Sequence, residues 1–190
     1  MGTRARKAGG RRGGTPAPKG RPPAAGGRAR ARPAVARSPS AAGEPPVAVR
    51  AARPGDLASV TAIDAEVTGL AKPAYWRGIF RRYGASAKVG RHLLVAEAAG
   101  EVVGFIIGEV RDWEFGSPPC GWVFAIDVHP GARLSGIGTK LLAGIVSAFR
   151  RAGVTTIRTI LSRENALVLS FFRSQGMMAG PFIPLEMELD

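Results

Sequence analysis

Beyond residue 46 the spacing of apolar side chains changes period several times, and each change marks an element. Residues 47–50 (Val47-Ala48-Val49-Arg50) alternate and predict a short first strand. Asp56, or the Pro54-Gly55 pair, then opens a helix with Leu57, Val60, Ile63 and Val67 on one stripe, ending near Gly69. Residues 75–83 predict a second helix, whose Trp76, Ile79, Phe80 and Tyr83 read as core packing. Residues 92–97 and 102–107 form two strand patterns around Ala99-Gly100, a tight-hairpin signal. Residues 121–128 are almost continuously apolar, which predicts a strand covered on both faces, stopped by His129-Pro130-Gly131. A helix over about 138–151 follows, with Leu141, Leu142, Ile145, Val146 and Phe149 inward and Gly153 as its cap. A fifth strand over 155–161, a short helix over 165–174 and a closing alternating strand over 182–189 complete the pattern. The order β-α-α-β-β-β-α-β-α-β predicts an α/β domain with a mixed sheet over residues 47–190.

Charge divides the same chain in two. Its formal net charge is +13, but residues 1–46 hold 11 Lys and Arg against one acid, Glu44. Residues 47–190 hold 16 basic and 13 acidic residues, a net of only +3. The first 46 residues are rich in Gly, Pro and Ala, contain no aromatic residue, and are expected to be disordered. Three readings of this tail stay open: non-specific phosphate contact with nucleic acid, a transit-peptide-like composition, or a solvated extension without a role of its own. The single Cys120 excludes an intramolecular disulfide and, with only His92 and His129, a Cys/His zinc cluster; no metal is expected. The apolar region 93–108 is interrupted by Glu97 and Glu101, so no membrane span is expected. With no signal-peptide core in the first 45 residues, the expected location is cytoplasmic.

Residues 128–139 carry the chemistry: a strand ending Val128-His129-Pro130 runs through Gly131-Ala132-Arg133-Leu134-Ser135-Gly136-Ile137-Gly138-Thr139 into an amphipathic helix. Backbone N–H groups of such a loop, with the positive end of the helix, form an anion site. Gly136 and Gly138 leave room for close approach, and Arg133 adds a fixed charge. The nucleotide P-loop pattern fails because Ile137 stands where its lysine belongs, and the dinucleotide fingerprint fails because Leu141 replaces its third glycine. What remains is Arg133-x-x-Gly136-x-Gly138 between a strand and a helix.

In that setting, with Asn165 and the later Phe171-Phe172-x-x-x-Gly176 pattern, residues 47–189 resemble the GCN5-related N-acetyltransferases, the GNAT family. The resemblance implies a mixed, splayed sheet flanked by helices, acetyl-CoA as co-substrate and a primary amine as acceptor. It implies that the pyrophosphate lies on backbone amides of Arg133, Leu134, Ser135, Gly136, Ile137, Gly138 and Thr139. The pantetheine arm would follow the fourth strand, the thioester carbonyl would meet the Val128 N–H, Asn165 would approach the pantetheine, and Phe172 would be among the residues binding the co-substrate. The acceptor would be selected by residues 69–83 and 112–119.

Two positions depart from the family pattern. Phe172 stands where many members carry a tyrosine acid, leaving Ser170 or water to protonate the departing thiolate. The early fourth strand, Pro119-Cys120-Gly121-Trp122, has no carboxylate base. Glu109, Asp112, Glu114, Asp127 and His129 remain as bases, each also readable as a solvated or structural residue. Cys120 reads as a small core residue, since no histidine adjoins it to activate a nucleophile. Neutralising a lysine amine at pH 7 costs about 4.6 kcal/mol and an α-amine about 1.1, so a site poor in bases favours low-pKa amines such as peptide N-termini or amino sugars. Two other classes stay open: a non-catalytic acyl-CoA-binding module and a nucleic-acid-associated protein acting through its tail.

Overall fold

The computed structural model describes residues 46–84 and 88–189. The expected disorder of the tail and its contact with nucleic acid lie outside these residues. The sheet contains β1 (Val47–Ala51), β2 (Arg91–Ala98), β3 (Glu101–Arg111), β4 (Cys120–Val128) and β5 (Ile157–Arg158), in that spatial order. The first four are antiparallel neighbours, and β5 lies parallel to β4, so the sheet is mixed as expected. Helices α1 (Leu57–Thr68) and α2 (Pro73–Tyr83) cover one face. Helices α3 (Ile137–Arg151) and α4 (Ala166–Ser174) cover the other.

Two apolar layers follow from the alternation of strand side chains. Phe105 and Ile107 of β3 pack with Val60, Ile63, Trp76 and Ile79, whereas Ile106 between them packs with Leu141, Ile145 and Phe149. The strand enclosed on both faces is therefore β3, buried from Gly104 to Gly108. β4 was expected to be that strand, but only its first part is deeply buried, and Phe124 is 37% exposed. The start of the domain is tied down by Arg50, which donates to Asp56 at 2.7 and 2.9 Å and to Glu97 at 2.7 Å.

Two expected strands are cut back. The fifth was expected over 155–161 but holds only Ile157 and Arg158, paired with Gly121 and Trp122. Beyond that pair β4 bulges: Ile107 faces Ala125 while Gly108 faces Val123, leaving Phe124 as the extra residue. A bulge bends its strand, and β4 separates from β5 there. The closing strand over 182–189 does not form: among the described residues the segment makes no backbone hydrogen bond, and Ile183, Leu185, Met187 and Leu189 are 81–90% exposed.

Candidate functional site

The separation of β4 from β5 leaves a length of strand edge free. His129 N–H donates to Val103 O at 2.9 Å, so in the alternating antiparallel ladder the backbone groups of Val128 and Ile126 turn away from β3, toward the gap. The Val128 carbonyl takes up Arg133 Nε at 3.3 Å; its N–H has no strand partner among the described residues. Sequence reasoning named Val128 and missed Ile126, although the two-residue period of a strand pairs them.

The free edge runs into the loop. A short turn at Pro130–Ala132 is held by Gly131 N–H donating to His129 Nδ1 at 3.1 Å, and Ser135 Oγ donates to Ala132 O at 2.6 Å. Leu134 is fully exposed at φ 68°, a strained conformation for a leucine that turns the chain into α3. Gly136 is the N-cap at φ 75°, and it brings no side-chain acceptor. The helical ladder begins with Lys140 N–H to Gly136 O at 3.1 Å, so the N–H groups of Ile137, Gly138 and Thr139 find no acceptor within the helix. The first turn holds no acid, leaving the helix dipole uncompensated at this end. The two glycines turn out to do different work. Space around Gly136 is open, whereas a Cβ on Gly138 would lie 3.1 Å from Phe171 Cε2; its absence lets α4 pack against the start of α3.

The candidates on α4 are spread over its surface and its core. Asn165 caps the helix, its Oδ1 accepting Val168 N–H at 3.1 Å, which leaves its Nδ2 free to donate. Ser170 is exposed, and Phe172 is buried to 4% in the cluster beneath α3.

The carboxylates separate clearly by environment. Glu109 accepts from Tyr83 Oη at 2.8 Å and Arg111 Nε at 3.1 Å, with Arg91 at 3.5 Å, and lies opposite Trp122, far along β4 from the loop. Burial and this bond to Glu109 push the Tyr83 hydroxyl above its usual range. Glu114 pairs with Arg111, and Asp112 is exposed in the same region. His129 has both ring nitrogens engaged, Nδ1 by Gly131 N–H and Nε2 by Glu66 at 3.0 Å. Asp127 differs: it has no side-chain hydrogen bond among the described residues and sits one residue before Val128, on the α1/α2 face beside Phe105. Burial first, then the Asp64 carboxylate, push its carboxyl up to about 6, against the opposing charges of Arg133 and Lys72. Asp64 is itself held by Lys72 Nζ at 3.0 Å and Trp76 Nε1 at 2.8 Å. Cys120 is buried at the opposite end of β4, its sulfur accepting from Arg158 at 3.3 Å.

Residues 59–177 match the Acetyltransferase (GNAT) family. The chain belongs to that family. Its members are acetyl-CoA-dependent N-acetyltransferases, and the mixed open sheet flanked by helices matches their fold. Among curated proteins, the chain is 32% identical over 87 residues to L-2,4-diaminobutyric acid acetyltransferase of Nocardia farcinica (strain IFM 10152). That match spans 46% of this chain and 44% of the relative, so less than half of the relative's length is represented. Among solved structures, aminoglycoside N-acetyltransferase AAC(6')-Iy in complex with CoA aligns with TM-score 0.65 and 17% identity over 78% of this chain and 98% of that one. Ribosomal-protein-alanine N-acetyltransferase from Brucella melitensis biovar Abortus 2308 aligns with TM-score 0.62 and 16% identity over 76% and 100%.

The GNAT co-substrate can be tested against the donors present. An extended arm carrying amides needs a strand edge with free backbone groups, and β4 offers, among the described residues, the N–H and C=O of Ile126 and the N–H of Val128. A pyrophosphate needs clustered donors without a competing carboxylate, and the first turn of α3 offers those. The residues fit. Sequence reasoning read the Tyr83 side chain as core packing, although it placed residues 69–83 in the acceptor-selecting region. Its ring lies edge-on to Phe124 at 5.4 Å, beside the bulge, a contact that a strand pattern without the bulge does not reveal.

Proposed function

We propose that the chain transfers the acetyl group of acetyl-CoA to a low-pKa primary amine. The observation that carries this reading is the free β4 edge leading directly into the uncapped, acid-free start of α3. On this reading the N–H groups of residues 133–139 hold the pyrophosphate. The Val128 N–H meets the thioester carbonyl and stabilises the negative charge that develops there. Asn165 Nδ2 donates to the pantetheine. Asp127 takes up the proton lost by the attacking amine; a carboxyl near 6 is ionised at pH 7 yet basic enough to accept it. Glu109 is too heavily bonded for that work, and water or Ser170 protonates the departing thiolate.

The acceptor class follows from the modest strength of that base. A lysine amine must give up about 4.6 kcal/mol to be neutral at pH 7 and an α-amine about 1.1, a difference of several hundredfold in reactive fraction. The relatives act, by name, on amino acid, aminoglycoside and protein acceptors. A panel of L-2,4-diaminobutyrate, an aminoglycoside, an alanine-terminated peptide and a matched lysine peptide, read by free-thiol release at pH 7, should give higher kcat/KM on the α-amine or sugar amine. A preference for the lysine side chain overturns the acceptor class.

A second reading, an acyl-CoA-binding module without turnover, is favoured by the burial of Phe172, where no acid is on offer. Calorimetric titration of acetyl-CoA into the full chain tests the cradle common to both. Gly136→Asp should weaken binding by at least about 100-fold through a carboxylate set against the pyrophosphate. Gly136→Asn, which tolerates a positive φ without the charge, should weaken it less. Binding without thiol release from any amine in the panel would establish the second reading.

A further inference from the structure

We propose that a second small-molecule site lies at the far end of α3, where a cavity takes an organic anion with an apolar body. The cavity measures about 360 Å³, a size typical of small-molecule sites, and opens between the start of β2 and the last turn of α3. α3 is 15 residues long, so this end stands about 22 Å from the turn at Gly136 assigned to the pyrophosphate. Of the segments assigned to acceptor choice, only Tyr83 reaches the cavity wall.

Three features set the class of ligand. The first is charge: Lys88, Arg91 and Arg151 line the cavity, and among the described residues no carboxylate does. Arg91 is already engaged, 3.5 Å from Glu109 and over the Tyr83 ring. Among the described residues Lys88 has no ion pair and Arg151 donates to the Ser147 hydroxyl at 2.8 Å, so two positive charges stand without a counter-charge. The helix end adds little opposing charge, because N–H groups of Ala152, Gly153 and Val154 close the carbonyls of Phe149 and Arg150 at 3.0–3.1 Å. The second feature is the apolar part of the wall, where Ala148 and Ala152 lie with Leu94 and the two small side chains leave the space open. The third is His92, which lines the same cavity with its ring edge-on to Phe149 at 5.8 Å. Burial, then the charge of Arg151, lowers its pKa, so the ring is neutral at pH 7. Its Nε2 is enclosed without a hydrogen-bond partner, and Nδ1 also has none among the described residues. Polar atoms in such places are rarely left unpaired. A neutral imidazole can donate one N–H to an oxygen of an anion held by Lys88 and Arg151. Carboxylates and phosphate monoesters share that oxygen chemistry, and an aryl body matches the alanine-lined wall.

The chain has two histidines, His92 in this cavity and His129 in the loop before α3, at opposite ends of the helix. Labelling histidine in the full chain therefore gives two imidazole NMR signals, assigned with His129→Gln. Benzoate, phenyl phosphate and inorganic phosphate are titrated at pH 7.5 and constant ionic strength. The expected result is a saturable shift of the His92 signal with one or both organic anions, its midpoint below about 10 mM and at least about 10-fold tighter than for inorganic phosphate. The tighter of the two organic anions identifies the head group. The double variant Lys88→Gln/Arg151→Gln, at two exposed positions, should weaken that midpoint by at least about 5-fold and leave the thermal melt unchanged. The proposal is overturned by absence of saturation, or by a His92 shift that follows His129 with the same midpoint. Inorganic phosphate binding as tightly as the organic anions, or a midpoint unmoved by the double variant, overturns it too. None of these readouts involves acetyl-CoA, so this proposal fails or stands apart from the proposed activity.

Discussion

Asp127 is the residue at which environment and chemistry meet most directly. With its carboxyl near 6 in the folded protein and at 3.8 ordinarily, the folded state holds the proton more tightly. The stability this contributes is complete below about 3.8 and is lost as pH rises through about 6. Asp127→Asn should therefore raise Tm more at pH 8 than at pH 4, which thermal melts across that range will measure. In catalysis, a low-pKa amine by itself imposes a slope of one on log kcat/KM below its pKa. Asp127 should steepen that slope to two below about pH 6, and Asp127→Asn should return it to one. Unchanged slopes in the variant would remove Asp127 from the reaction. Phe172 offers a contrasting test. Restoring a hydroxyl by Phe172→Tyr places it in an apolar layer at 4% exposure, which should cost about 1–3 kcal/mol and add no activity. None of this separation of roles is readable from residue type: Glu109 and Asp127 are both strand carboxylates, and only their neighbours distinguish a clamped ion from a free one.

At the scale of elements, the site is made by two interruptions. The Phe124 bulge parts β4 from β5, and the loop 129–136 ends in a backbone that turns sharply to start α3. The sequence reading found the second, because Gly136 and Gly138 stand at telling positions before an amphipathic helix. It passed over the first. Nothing in Val123-Phe124-Ala125 distinguishes a bulge from regular alternation, since the irregularity depends on the partner strand's register. Leu134 shows the local strain of this loop, with a leucine at φ 68° and its side chain wholly in solvent. Leu134→Gly should stabilise the protein by about 1 kcal/mol, or about 2–4 °C in Tm, by relieving that conformation. A melt that falls instead would mean the leucine is held by contacts of its own.

At the scale of the molecule, charge is unevenly divided along the chain. Residues 1–46 carry a net +10 and the domain +3, so any binding of the full chain to duplex DNA is expected to be insensitive to base sequence and to weaken steeply with salt. Filter binding with two unrelated duplexes checks this, and a marked preference between them would contradict it. The order of elements from β1 to α4 and the glycine-bearing turn before α3 were legible in the sequence by itself, because periodicity, glycine placement and helix starts depend on neighbours a few residues apart. The length of β5, the free edge at Ile126 and Val128, the raised carboxyl of Asp127 and the unpaired segment after Phe182 were decided only in the tertiary structure. Each depends on which strand or side chain lies alongside across tens of residues, and pairing across that distance is a property of the folded sheet, with no local pattern to announce it.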